Sequence, residues 1–148
     1  MVHAEHFSFT AIDSSLGAAS SLPYVPLTLT NNGRSLAGAS LLDTGATVNV
    51  LPYSTGVQLG AVWEQQTIPV RLSGNLAQVE ARALIVSATL GNFAPVRLAF
   101  ARTKVNDVPL VLGQINFFLE FDACFYHSQL LFEVSPNGRG RTQEEPDV

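Results

Sequence analysis

The chain is poor in residues on which several kinds of protein depend. It holds one cysteine, Cys124, in 148 residues, so no disulfide can form within it, which fits a reducing compartment. Lys and Arg number 8 against 12 Asp and Glu, a net charge of −4. That leaves no basic stripe to meet phosphates, and nucleic acid is not an expected partner. No apolar run approaches the roughly 20 residues needed to cross a bilayer. The opening "MVHAEHFSF" has neither the basic nor the apolar segment of a secretion signal, so a cytoplasmic setting without membrane contact is expected. Of three histidines, His3 and His6 form H-x-x-H, and His127 forms C-x-x-H with Cys124. These pairs lie at opposite ends of the chain, whereas structural zinc needs four ligands in fixed geometry. They read as a frayed N-terminus and a hairpin turn, and neither a metal nor a cofactor is expected. No G-x-S-x-G, P-loop or dinucleotide fingerprint occurs to support a serine hydrolase or a nucleotide enzyme.

What remains is an apolar chain, 47% hydrophobic and 14% charged, of a length suited to one packed domain. Its punctuation is that of a β protein. Leu27 and Leu29 alternate with Thr28 and Thr30 before Asn32-Gly33, a dipeptide suited to the positive φ angles of a tight turn. Residues Val25 to Thr30 and Ser35 to Leu42 therefore read as a hairpin. A second hairpin is expected over Ile68 to Val86, tipped at Ser73 to Asn75. Another turn follows at Gly91-Asn92. The run "VPLVLG" suits a strand buried on both faces, and Ile115, Phe118 and Leu119 are spaced for a short helix from Gln114. "ACFYHSQLLFEV" closes the fold as a hairpin turning near His127 to Gln129. An apolar strand is expected at Phe7 to Ile12, and a mobile tail from Ser135. Cys124 reads as a small buried hydrophobe and Trp63 as core packing or, alternatively, as lining the cleft near the flap, while Phe117, Phe118, Phe121 and Phe125 read as core or subunit interface.

One feature does not suit this apolar pattern. In "SLLDTGATVNVLP", residues 40–52, the carboxylate of Asp43 follows two leucines at the end of an expected strand. A carboxylate in apolar surroundings is costly unless it is hydrogen-bonded or neutralised. Turn chemistry would explain Asp-Thr-Gly alone, and average residue usage yields such a D-[ST]-G triplet by chance in about one domain of this size in fifteen. Its setting is more particular: apolar residues flank it, and a second element, Val111-Leu112-Gly113, leads into the expected helix.

"LLDTGATVNVLP" together with "VPLVLGQINFFLEFDACF" resembles the retropepsin-like aspartic proteases over roughly residues 24–134. The resemblance implies an all-β acid-protease half-barrel with one short C-terminal helix, active as a homodimer. It divides the chain into an N-terminal extension (1–23), the protease domain (24–134) and a C-terminal tail (135–148). It also implies that Asp43 is catalytic, that the Thr44 hydroxyl locks two active-site loops together across the dimer, and that the Gly45 backbone lies against the carboxylates. Ala46 and the flap tip Ser73, Gly74 and Asn75 would contact substrate. Two departures stand out. Retroviral members usually carry arginine where this chain has Gln114, and their flap is glycine-rich whereas this one has Gly74 alone.

Amide hydrolysis by water needs a base and an acid, which two close carboxylates supply by sharing one proton. The other aspartates, Asp13, Asp107, Asp122 and Asp147, lie outside any Asp-Ser/Thr-Gly loop. The second carboxylate must then come from another copy, which makes a two-fold homodimer part of the catalytic reading. The expected function is an aspartic endopeptidase acting on a peptide or protein substrate. The alternatives are a dimeric β module that binds extended peptides without turnover and a monomeric barrel whose Asp43 only shapes a turn.

Overall fold

The computed structural model describes residues 3–137. Eleven strands are formed among them: β1 (Glu5–Ser8), β2 (Thr10–Ala11), β3 (Ser21–Leu22), β4 (Tyr24–Asn31), β5 (Arg34–Leu42), β6 (Asn49–Leu51), β7 (Ala81–Leu90), β8 (Val96–Thr103), β9 (Val111–Leu112), β10 (Phe121–Tyr126) and β11 (Leu131–Pro136). Two short helices, α1 (Tyr53–Gln58) and α2 (Phe117–Glu120), complete the set. Six strands close a barrel in the order β4-β5-β9-β6-β8-β7, and β1, β11 and β10 form a separate three-stranded sheet beside it. No helix among the described residues is long and apolar enough to cross a membrane.

The first hairpin forms as its turn chemistry requires. Asn32 and Gly33 take φ of 49° and 81°, the mirror-image turn that matches the right-handed twist of the flanking strands. The inward-facing Val25, Leu27 and Leu29 are buried in the main core with Leu98, Phe100, Leu112, Phe117, Phe121 and Phe132.

The second hairpin forms only at its base. Val70 N donates to Ala81 O and Ala83 N to Ile68 O, at 3.0 and 2.8 Å. Between them the chain leaves the ladder for turns, including a 3-10 turn at Gly74–Leu76. Leu72 and Leu76 fold inward there onto a smaller apolar cluster of Val50, Ala81, Ala101, Val108 and Val111. Burial of these leucines outweighs the period-2 pattern that suggests extended arms.

Four further expectations are corrected. Residues 5–8 are not frayed: β1 pairs with β11, with Phe7 stacked on Phe132 at 5.5 Å. The C-terminal helix starts at Phe117 rather than Gln114: Phe117 is buried as expected, stacked on Phe121 at 4.9 Å, whereas Ile115 and Leu119, whose spacing suggested the helix, are exposed. Cys124 is exposed, since it faces outward on β10. Helix α1, for which the sequence raised no expectation, forms without any apolar periodicity in "YSTGVQ", held by the bonds from Arg102 to Tyr53 O. Of the expected tail, Ser135 and Pro136 belong to β11, and residues 138–148 lie outside the described residues.

Arg102 is fully buried and, among the described residues, has no carboxylate partner. Its guanidinium donates to Tyr53 O (3.0 and 3.3 Å), Ala61 O (3.0 Å) and Gln66 Oε1 (2.7 Å) and lies 4.3 Å from the Tyr53 ring centroid. Desolvation lowers its pKa, while the carbonyl oxygens and the ring face stabilise the cation. Gly56 of α1 makes this possible, because a Cβ there would fall 2.1 Å from Arg102 Nε.

Candidate active site

The Asp43 loop is placed by backbone bonds between strands that are far apart in sequence. Leu41 and Leu42 run parallel to Val111 and Leu112, with Leu41 N bonded to Leu110 O and Asp43 N to Leu112 O, both at 2.9 Å. The chain then turns: Ala46 N donates to Asp43 O and Gly45 N to Asp43 Oδ1, each at 3.0 Å. The carboxylate thus caps its own turn through one oxygen, as short Asx turns do. Asp43 is half-buried, while Thr44 and Gly45 are exposed.

A second loop crosses the first. Gln114 N and Ile115 N donate to Ala46 O and Thr47 O, both at 2.9 Å. Gly113 sits where the two backbones touch, and a Cβ there would lie 2.6 Å from Val48 O and 2.7 Å from Ala46 O. The Gln114 side chain donates from Nε2 to Thr44 O at 2.8 Å. An amide therefore ties the loops here, without an ion pair.

Beneath the crossing lies a polar pair that sequence reasoning missed. Asn49 is fully buried; its Oδ1 accepts from Gly113 N (2.8 Å), and its Nδ2 donates to Ala99 O (2.9 Å) and Asn116 Oδ1 (3.2 Å). Asn116 Oδ1 also accepts from Ala99 N, and its Nδ2 reaches Arg97 O. The pair joins β6, β8 and the loop after β9. The available signal was an asparagine inside the β-branched stretch Thr47 to Val50, a residue disfavoured in strands unless its amide is satisfied. Asn49→Ala should leave the buried Gly113 amide without its acceptor and take one donor each from Ala99 O and Asn116 Oδ1, at a cost of about 2 kcal/mol or more. Urea unfolding checks this; an unchanged midpoint would mean the network carries no stability.

Above the loop, the turn at the tip of the second hairpin closes over a cleft of about 270 Å³ lined by Asp43, Gly45, Ala46, Thr47, Val48, Val50, Leu72, Ser73, Gly74, Leu76 and Val111. Five of the seven residues singled out from sequence meet there. The remaining two, Thr44 and Asn75, are exposed and outside the lining. Apart from Asp43 the walls carry no charge. Asp107 and Asp122 do not line it, and Asp147 lies outside the described residues. Asp13 is bound in a turn by Ser15 N and Oγ at 3.0 and 2.7 Å, and these bonds lower its pKa. A larger hollow of about 640 Å³ flanks β4 and β5 but holds no titratable side chain other than Tyr24. Among the described residues no group of three or more His, Cys, Asp or Glu is placed to hold a metal ion.

A closed barrel, two crossed loops with an aspartate at their junction, and an overhanging turn define the retropepsin-like fold, and this chain has it. Several solved structures share it. A retropepsin-like aspartic protease from Rickettsia conorii superposes with a TM-score of 0.56 at 12% identity, over 92% of this chain and 94% of that one. The retroviral protease-like domain of Ddi1 from Leishmania major gives a TM-score of 0.52 at 17% identity, over 67% and 77%. No protein-family model matches the chain, and no curated protein matches its sequence. At such identities the likeness is one of fold.

Proposed function

We propose that this chain is an aspartic endopeptidase whose working unit is a homodimer with one Asp43 from each copy. The observation that carries this reading is the convergence of Asp43 and the overhanging Ser73-Gly74 turn on one apolar cleft. Two carboxylates brought together there would share a proton, since both cannot ionise at close range, and would titrate as a unit. The ionised member takes a proton from water as the water attacks the peptide carbonyl carbon, and the protonated member donates to the carbonyl oxygen. The carboxylate that is now ionised then takes a hydroxyl proton from the tetrahedral intermediate while the one that is now protonated donates to the departing amine nitrogen, so collapse cleaves the C–N bond and restores the shared-proton pair.

Thr44 and Gly45 hold the loop in this reading, the Thr44 hydroxyl reaching toward the partner copy. Ala46, Ser73, Gly74 and Asn75 border the extended substrate, whose main chain would bond to flap and floor. Val48, Val50, Leu72, Leu76 and Val111 offer apolar walls, which favour apolar side chains beside the cleaved bond.

The test is digestion of a mixed peptide library, read by mass spectrometry between about pH 4 and 7.5, where a carboxylate pair can share its proton. Cuts between apolar residues are expected. Specific activity should fall on dilution as subunits separate; activity strictly proportional to protein far below the dimer dissociation constant would contradict a shared site.

A further inference from the structure

The second hairpin carries Ser73 and Gly74 over the Asp43 cleft, yet its own ladder is short. Among the described residues two backbone bonds join its arms, Val70 N to Ala81 O and Ala83 N to Ile68 O, with Pro69 bridged to Arg82 between them. Beyond this foot the arms part. The angle at which the turn overhangs the cleft is therefore set by whatever holds the foot.

A buried side chain does so. Gln66, just before the outgoing arm, is buried and donates from Nε2 to Arg82 O and Ala83 O on the returning arm, both at 3.3 Å. Its Oε1 accepts from Arg102 Nη1 at 2.7 Å. The two ends of an amide are not interchangeable: the oxygen can face a guanidinium and the NH2 can face carbonyls, but not the reverse. Arg102 thereby fixes which way the Gln66 amide points. Arg102 is itself bonded to Tyr53 O in α1 and to Ala61 O after it, so two side chains connect that part of the molecule to both arms of the hairpin. Arg82 ties the same segment from its other side, with Nη1 on Trp63 O at 2.9 Å and the guanidinium 4.4 Å from the Trp63 ring centroid.

Stability alone does not account for Arg102. A buried cation gives up its hydration, and an apolar side chain of similar volume often fills such a space at less cost. What an apolar side chain cannot do is orient Gln66.

We propose that Gln66, oriented by Arg102, is a positioning residue that fixes the foot of the second hairpin and through it the height of the Ser73-Gly74 turn above Asp43. Neither Gln66 nor Arg102 lines the cleft, so both act on substrate through the hairpin. The effect on substrate rests on the catalytic reading, whereas the anchoring of the hairpin does not.

The experiment is amide hydrogen exchange, read residue by residue by NMR on the full chain, for wild type, Gln66→Glu, Gln66→Asn and the control Gln65→Glu. Gln66→Glu keeps an acceptor for Arg102 but has no NH2 for the two carbonyls. Gln66→Asn adds no charge but is one carbon too short to span from guanidinium to carbonyls, so it guards against a fold lost to a buried carboxylate. Gln65→Glu places the same added charge on an exposed neighbour. The Val70 and Ala83 amides should exchange about tenfold faster or more in both Gln66 variants, as expected when a hydrogen bond is lost from a local opening unit. Amides of β4 and β5 should keep their wild-type rates, and Gln65→Glu should change none of these. On a cleaved peptide the Gln66 variants should raise KM about tenfold, with kcat and its pH dependence within about twofold, because the turn supplies binding while the carboxylates are untouched.

Unchanged exchange at Val70 and Ala83 overturns the anchor. Faster exchange of equal size throughout the barrel overturns it too, since Gln66 would then support the fold as a whole. A lower kcat at constant KM overturns the role in substrate binding. If no peptide is cut by wild type while the two amides respond as expected, the anchor stands and the catalytic reading falls.

Discussion

Asp43→Asn is expected to abolish peptide cleavage while leaving the fold and the assembly intact. The amide oxygen of asparagine can still accept the bond from Gly45 N that Asp43 Oδ1 receives at 3.0 Å, so the turn persists. The lost function is proton transfer. In a homodimer one substitution removes base and acid together, and positioned acid-base groups contribute about 10²- to 10⁴-fold each, so a fall of about 10³-fold or more is expected. Wild type and variant should give the same circular dichroism spectrum and sedimentation behaviour, with digestion products from wild type alone. A variant that cuts the same bonds at the parent rate would remove Asp43 from the mechanism. Silence from both proteins, in samples shown to be dimeric, would favour the peptide-binding module without turnover.

Gly113→Ala should be strongly destabilising. The added Cβ would approach Val48 O to 2.6 Å and Ala46 O to 2.7 Å, and both are backbone atoms that cannot swing aside. One of the crossed loops must move. That motion strains the Gly113 N bond to Asn49 Oδ1, the Gln114 N bond to Ala46 O and thereby the floor of the cleft. The expected cost is about 3 kcal/mol or more, at the upper end for forcing atoms into filled space. Gly38→Ala is the matched control, since nothing lies within 4 Å of a Cβ there and its φ is ordinary. That change should shift stability by less than about 1 kcal/mol. Urea midpoints decide it. Equal midpoints for the two variants would mean that the loops do not cross as closely as described.

The legibility of the sequence varied with the range of the interaction. The first hairpin was readable because alternation and an Asn-Gly turn are local signals, and both turn residues take positive φ. Asp43 was conspicuous because a carboxylate between apolar residues demands an explanation, and the crossing strand Val111–Leu112 was visible as an apolar run ending in glycine. The flap was half-readable. Its base paired as the alternation suggests, but Leu72 and Leu76 were drawn inward by a floor assembled from Val50, Ala101, Val108 and Val111, residues remote in the chain. In α2 the local spacing favoured the wrong face, because Asn116 and the Phe117–Phe121 stack set the helix orientation from outside. Cys124 looked buried by type, yet a residue on an edge strand can face solvent whatever its hydrophobicity.

Composition, turn chemistry and the D-T-G-A loop followed by an apolar-apolar-glycine element were sufficient by themselves to point to an all-β fold and to single out Asp43, because these are properties of contiguous residues. Tertiary structure alone decided the rest. It placed Asn49 under Gly113, buried Arg102 against the carbonyls of Tyr53 and Ala61, and brought Ser73 and Gly74 over Asp43. Each of these depends on where distant backbones meet, and no local pattern records which buried amide, carbonyl or strand edge will find a partner there.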